Sequence, residues 1–190
     1  PGDEVIVTPN TFIATSLVVL KEGATPVYAD IDPRTFNIDP KEIEKKVTNK
    51  TKAIFVVHYG GQMCDMDPIM DIAKKHNLIV LEDCAHAPGA EYKGRRAGSI
   101  GDFGCFSFHS AKTMTTLGEG GMITTNNDEY AARIDKLRCM NLFDWEYQKD
   151  YWIPSHFDVD MVGGKWGNNY RMNECQGAVG CAQMDKLDML

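Results

Sequence analysis

Apolar and polar positions along the chain alternate between two periods, and the switches from one to the other set out its elements. Residues 4–8 read as a short buried strand. Residues 11–20 carry an apolar face at helical spacing behind a Thr/Asn start, with Gly23 closing the helix. Residues 25–29 form the next predicted strand, and 30–37 a turn-rich link. Residues 40–47 read as a short helix with Pro40 at its start and charges along one face. A β-branched strand follows over 52–57, then a helix over 67–76 and a strand over 78–81. This strand–helix alternation predicts a mostly parallel sheet covered on both faces, a three-layer α/β/α arrangement.

Further along, residues 90–98 read as a hairpin with Lys93-Gly94 near its tip, and 103–108 and 122–125 as strands. Residues 128–140 are amphipathic, with an acidic start and a basic end that suit the helix dipole. Residues 143–165 are aromatic and polar without a period, so 141–165 is expected to be an irregular loop or insert. Apolar residues at helical spacing over 173–190 predict one long helix.

Composition narrows the class. The chain has 190 residues, 43% hydrophobic and 25% charged, which is globular and long enough for one sizeable core. A net charge of -7 with no basic run argues against a nucleic-acid surface. No apolar run is long enough to cross a bilayer, and Pro1 begins without a signal-peptide pattern. The six cysteines show no CxxC spacing. Cys84 and Cys105 fall at apolar strand ends and read as small buried thiols, so a reducing compartment, the cytoplasm, is expected. His58, His76, His109 and His156 do not form metal-ligand spacing with cysteines or acids, so no zinc site is expected. GxSxG and Walker A patterns are absent from the sequence.

The candidate chemistry lies between residues 78 and 122. An apolar strand runs into Glu82-Asp83, and a second strand, 103–108, runs into a loop holding Lys112; Gly118 to Gly121, GEGG, closes the unit. In a parallel sheet those strand ends share an edge, and ligands bind there. A lysine able to form a Schiff base, with a carboxylate able to hold a pyridinium nitrogen, is the pair that pyridoxal 5′-phosphate (PLP) chemistry requires. On position alone Lys112 reads as a solvated surface lysine, the default for that residue. Asp83 could be a surface acid or a helix cap, but the apolar run before it makes it a buried strand-end acid in need of a partner, with Glu82 the bystander. GEGG alone is an ordinary tight turn.

The ordered motifs E-D-C-A-H-A-x-G-A, G-S-x-G-D-x-G-C-F-S-F, Lys112 and G-E-G-G resemble the DegT/DnrJ/EryC1/StrS family of sugar aminotransferases, of the aspartate aminotransferase fold (fold type I). PGDEVIV, TFIAT, Asp30-Ile31-Asp32, DMDPIM and NNYRMNECQGAVG extend the resemblance over the whole chain, while 141–165 matches little. The resemblance implies that residues 1–190 are a single, incomplete PLP-binding large domain. An N-terminal part with a phosphate-binding helix start and a small C-terminal domain are expected outside it.

The resemblance also assigns roles. Lys112 falls on the Schiff-base position, where relatives that deoxygenate sugars carry histidine. Asp83 falls on the partner of the pyridinium N–H. His86 matches the residue against one face of the cofactor ring, where glutamine is common, and Phe12 the aromatic on the other face; without the family both read as core. Ser107 matches a phosphate ligand. Asn169 matches a residue that reaches the phosphate of the partner subunit in a homodimer with shared active sites. His109, near Lys112, could face the substrate. The implied reaction moves an amino group from glutamate or glutamine to a keto-sugar, nucleotide-linked, or to a keto-cyclitol, in polysaccharide or antibiotic biosynthesis. Two alternatives stay open: a same-fold PLP enzyme of different reaction, such as dehydration or aminohydroxybenzoate-type synthesis, and a non-catalytic PLP-binding regulator.

Overall fold

The structure, a computed structural model, describes residues 1–141 and 162–189. Most of the stretch expected to be an irregular insert, 142–161, lies outside the described residues. The described residues fall into two compact units, Pro1–Thr125 with Cys175–Leu190, and Asn126–Glu174.

The first unit is built on strands β1 (Glu4–Val7), β2 (Thr25–Tyr28), β3 (Thr51–Val57), β4 (Ile79–Asp83), the short hairpin β5 (Glu91–Tyr92) and β6 (Arg95–Arg96), β7 (Phe103–Ser107) and β8 (Gly121–Thr124). Six of them make one sheet in the order β2-β1-β3-β4-β7-β8. Every pairing from β2 to β7 is parallel, and β8 returns antiparallel along β7. At the tip of the hairpin Lys93 and Gly94 both take positive φ, +52° and +77°, as a two-residue type I′ turn requires.

Because side chains alternate across a strand, each strand feeds two cores. Ile6, Ile54, Val56 and Val80 pack on one face against Ile43 of helix α2 (Pro40–Lys46) and Ile69 of helix α3 (Met66–His76). Val7 and Phe55 pack on the other face against Val19 of helix α1 (Ala14–Lys21). Ile6, Ile54, Ile69 and Val80 are fully buried, and each contributes roughly 1.5–3 kcal/mol of burial free energy. α2 (Pro40–Lys46) starts where Asp39 accepts the Lys41 N–H at 2.8 Å, with proline in the first turn. α3 (Met66–His76) ends at Asn77 in the left-handed conformation.

Two predicted helices differ from the observed ones. α1 covers Ala14–Lys21 rather than starting at Thr11, because the Thr11 and Thr15 hydroxyls bond each other instead of capping the backbone. The long C-terminal helix stops early: α5 covers Glu174–Met184, and a 3-10 turn takes Leu187–Met189. From Lys186 the backbone bonds tighten to three-residue spacing, and Leu187 lies over Gly89, whose absent side chain leaves the room.

In the second unit α4 (Asp128–Arg138) is capped by Asn127, whose side chain accepts the Tyr130 N–H at 3.0 Å. Cys139 and Asn169 form an antiparallel bridge there. Among the described residues no helix is long and apolar enough to cross a membrane.

Candidate active site

Glu82 and Asp83 end β4 and point to opposite faces of the sheet. Asp83 stands level with Val57 of β3 and Cys105 of β7. It lies on the face that α1 covers, half-buried, and its carboxylate has two donors: the Thr15 hydroxyl to Oδ2 at 3.1 Å and the Ala85 N–H to Oδ1 at 3.0 Å. The acid expected to need a partner has one, and its donor Thr15 is a residue that the sequence did not single out. Its signal was spacing: Thr11 and Thr15 stand four apart in the helix that the sequence predicts over 11–20.

Ser107 lies two residues beyond Cys105 on β7, so it shares the sheet face of Asp83. Its oxygen accepts the His109 N–H at 3.4 Å, which leaves the hydroxyl proton to donate. The chain then turns sharply. Phe108 N–H bonds Gly120 O at 2.8 Å, Ser110 N–H bonds Gly118 O at 2.9 Å, and Lys112 N–H bonds His109 O at 2.9 Å. Lys112 is half-buried on this closed loop. The GEGG turn is held from α5, where the Gln176 amide donates to Glu119 O at 2.8 Å, and by the Thr116 hydroxyl, which donates to the same oxygen at 2.9 Å. His109 lies 3.8 Å from the Glu119 carboxylate, both exposed.

Phe12 and His86 are both exposed rather than core. Phe12 is 75% exposed beside Thr11, and so stands on the same edge as Asp83. His86 follows Asp83 by three residues; its Nδ1 accepts the Gly60 N–H at 3.3 Å and its ring meets Tyr59 edge-on at 6.0 Å. Asn169 belongs to the second unit, exposed, where its side chain accepts from Arg171 at 3.0 Å.

Glu82 is no bystander to the fold. It is fully buried, and its carboxylate accepts four N–H groups: His58 Nε2 at 2.9 Å and Gly98 at 3.0 Å on Oε2, and Ile100 at 2.8 Å and Gly101 at 2.6 Å on Oε1. Burial is the largest effect and pushes its acidity toward the neutral form, yet His58 and the three backbone donors together hold it below the ordinary glutamate range. His58 Nδ1 accepts the Cys64 N–H at 3.1 Å, a network that assigns the proton to Nε2, facing Glu82.

This explains the G-S-x-G-D-x-G motif as architecture: its loop wraps the Glu82 carboxylate. Asp102 closes it, accepting the Val80 N–H at 2.8 Å. Gly104 allows the loop to lie flat, since a Cβ there would stand 2.3 Å from the Gly98 Cα.

His58, Glu82 and Cys84 bring three donor atoms within 4.8 Å of one another, a cluster the sequence spacing did not reveal. Those donors are already engaged: both Glu82 oxygens carry two hydrogen bonds each, and burial raises the Cys84 thiol far above its ordinary value. Burial and the two acids also push Cys105 up to about 11, and burial with Glu82 pushes Cys64 up to about 12. These thiols are inert rather than nucleophilic. Cys84 is fully buried as expected, whereas Cys105 is only half-buried.

A twisted, mostly parallel α/β sheet with a carboxylate at the end of one strand and a lysine loop leaving the next defines the large-domain fold of the aminotransferases. The chain belongs to the DegT/DnrJ/EryC1/StrS aminotransferase family, whose model matches residues 1–190; this is a PLP-dependent family. It is 49% identical over 188 residues to a GDP-perosamine synthase of Caulobacter vibrioides, covering 99% of this chain and 47% of that protein. It is 56% identical over 187 residues to the dTDP-3-amino-3,6-dideoxy-alpha-D-galactopyranose transaminase of Aneurinibacillus thermoaerophilus, covering 98% and 47%. The crystal structure of an aminotransferase from Psychrobacter cryohalolentis superposes with a TM-score of 0.89 at 45% identity, over 97% of this chain and 46% of that one. The chain thus spans about half the length of the curated relatives it matches.

Proposed function

We propose that residues 1–190 are the PLP-binding large domain of a longer aminotransferase, which moves an amino group from glutamate or glutamine to a keto-sugar carried on a nucleotide, or to a keto-cyclitol. The observation that carries this reading is Asp83, an acid fixed by Thr15 and Ala85 at the end of β4, on the edge from which the Lys112 loop leaves β7. The names of the relatives, a GDP-sugar and a dTDP-sugar enzyme, support a nucleotide-linked substrate.

The residues fit PLP by their chemistry. Each Asp83 oxygen takes one donor from the protein, and Oδ2 keeps a lone pair for a pyridinium N–H. Ser107 has a hydroxyl proton to offer a phosphate, and the exposed rings of Phe12 and His86 stand on the Asp83 edge. When bound, PLP supplies an electron sink for the charge that develops on the donor carbon. Asp83 keeps the proton on the ring nitrogen, so that the sink stays effective. Lys112 would hold the cofactor and, as a free amine, would move the proton at the donor Cα. Phe12 and His86 would flank the ring, and Ser107 would orient the phosphate.

We infer likewise a homodimer with shared active sites, in which Asn169 reaches the phosphate of the partner subunit. Six cysteines without a disulfide support a reducing compartment such as the cytoplasm. The test is a panel of nucleotide-linked keto-sugars and keto-cyclitols, given to the full-length protein with glutamate or glutamine. The expected result is an amino product formed in step with the donor's keto acid. A dehydrated or aromatised product, or bound PLP without turnover, would overturn the assignment.

A further inference from the structure

We propose that Thr15 is a positioning residue for Asp83, the last member of a one-way hydrogen-bond relay that runs from Thr11 through Thr15 to the carboxylate. The inference rests on the reading of Asp83 as the partner of the cofactor ring nitrogen.

The direction of the relay follows from proton counting. An ionised carboxylate only accepts, so the 3.1 Å contact between Thr15 Oγ1 and Asp83 Oδ2 uses the proton of Thr15. A hydroxyl has one proton, so at the 2.7 Å contact between the two threonines Thr15 accepts and Thr11 donates. A donor that is itself accepting is polarised, and its bond to the carboxylate is strengthened. Thr15 is 3% exposed, so water does not take its place. The donor comes from α1 and the acceptor from β4, 68 residues later, so the bond ties the helix to the strand end beside the Val7, Val19 and Phe55 core.

Two donors from different directions, Thr15 on Oδ2 and Ala85 N–H on Oδ1, fix the plane of the carboxylate. The unused lone pair of Oδ2 then points one way. Without Thr15 the group keeps only the Ala85 bond and can rotate. Thr15 therefore acts through Asp83 and touches no reacting atom.

The experiment uses the full-length holoenzyme reconstituted with PLP labelled with 15N at the ring nitrogen. Its readouts are the 15N resonance, the affinity of the apoenzyme for PLP, and thermal stability. Thr15→Val, which keeps the shape and removes the hydroxyl, is expected to move the resonance toward the unprotonated value. It should weaken PLP by roughly ten- to a hundredfold, the scale of a lost hydrogen bond to a charged group. Thr15→Ser restores the donor and is expected to restore both readouts. Thr11→Val, which removes only the upstream donor, should move them in the same sense by less, and it serves alone if the valine variant at 15 does not fold. An unshifted resonance and wild-type affinity in Thr15→Val, or in Thr11→Val where that variant stands alone, would reduce Thr15 to packing. Asp83→Asn is the control: if it too leaves the resonance unmoved, the ring-partner reading itself fails, separately from the relay.

Discussion

Glu82 and Asp83 are consecutive acids with opposite fates: the Glu82 carboxylate sits in the core on four N–H groups, and the Asp83 carboxylate sits at the sheet edge on Thr15 and Ala85. One step along a strand turns a side chain to the other face. The same dipeptide thereby supplies a structural anchor and the acid proposed to partner the cofactor ring.

The anchor has a measurable cost. Glu82→Ala leaves His58 Nε2 and three backbone N–H groups buried without an acceptor, and should destabilise the protein by about 3–5 kcal/mol. Glu82→Gln keeps the volume but sets an amide N–H₂ against donors, and should cost about 2 kcal/mol. Because the folded acidity lies below the ordinary glutamate value of 4.5, the ionised anchor contributes fully above that value and is lost as the pH falls through the folded one. Urea unfolding of wild type and Glu82→Gln should therefore differ most near neutral pH and converge below pH 4.5. A gap that is constant with pH would show that the Glu82 charge is not the source.

Asp83→Asn tests the acid on the other face. The amide retains the shape and the Thr15 and Ala85 contacts in part, so PLP should stay bound. Turnover should fall by orders of magnitude, since each ~1.4 kcal/mol of lost barrier stabilisation costs about tenfold. Steady-state rates of full-length enzyme at saturating PLP decide it, and near-wild-type turnover would remove Asp83 from the role.

Much of this was legible in the sequence. The β-branched run of β3 and the apolar run of β4 announced themselves, because a parallel strand buried on both faces needs apolar residues at consecutive positions. Lys93-Gly94 announced the hairpin as its tip, and the structure places both residues at the positive φ that such a turn requires. The His58–Glu82 pair was hidden because the partners are 24 residues apart, and only the β3–β4 register brings their strand ends together. A Glu beside an Asp also reads as solvent-facing until the strand's two faces are known. Thr15 was hidden for a related reason: a helix-start threonine reads as a cap, and its true partner lies 68 residues away. The break after Met184 came from Leu187 packing on Gly89, a tertiary contact that helical spacing does not encode.

The shared-site proposal has its own test. Asn169→Ala should weaken PLP by about one to two powers of ten, the worth of one charge-assisted hydrogen bond to a phosphate. In a heterodimer of a Lys112→Ala subunit with an Asn169→Ala subunit, a residue acting across the interface leaves the Lys112-bearing site with an intact asparagine from the other chain. That site should then bind PLP as in wild type under limiting cofactor. A weakened Lys112-bearing site would place Asn169 within its own subunit, and an active monomer would remove the shared site.

The central claim is that Lys112 carries the cofactor. The direct measurement is borohydride reduction of full-length protein loaded with PLP, followed by digestion and mass mapping of the labelled peptide. The reduced cofactor is expected on Lys112, and is expected to be lost together with the visible absorbance band in Lys112→Ala. Reduced cofactor on any other lysine, or an unchanged band in that variant, would contradict it.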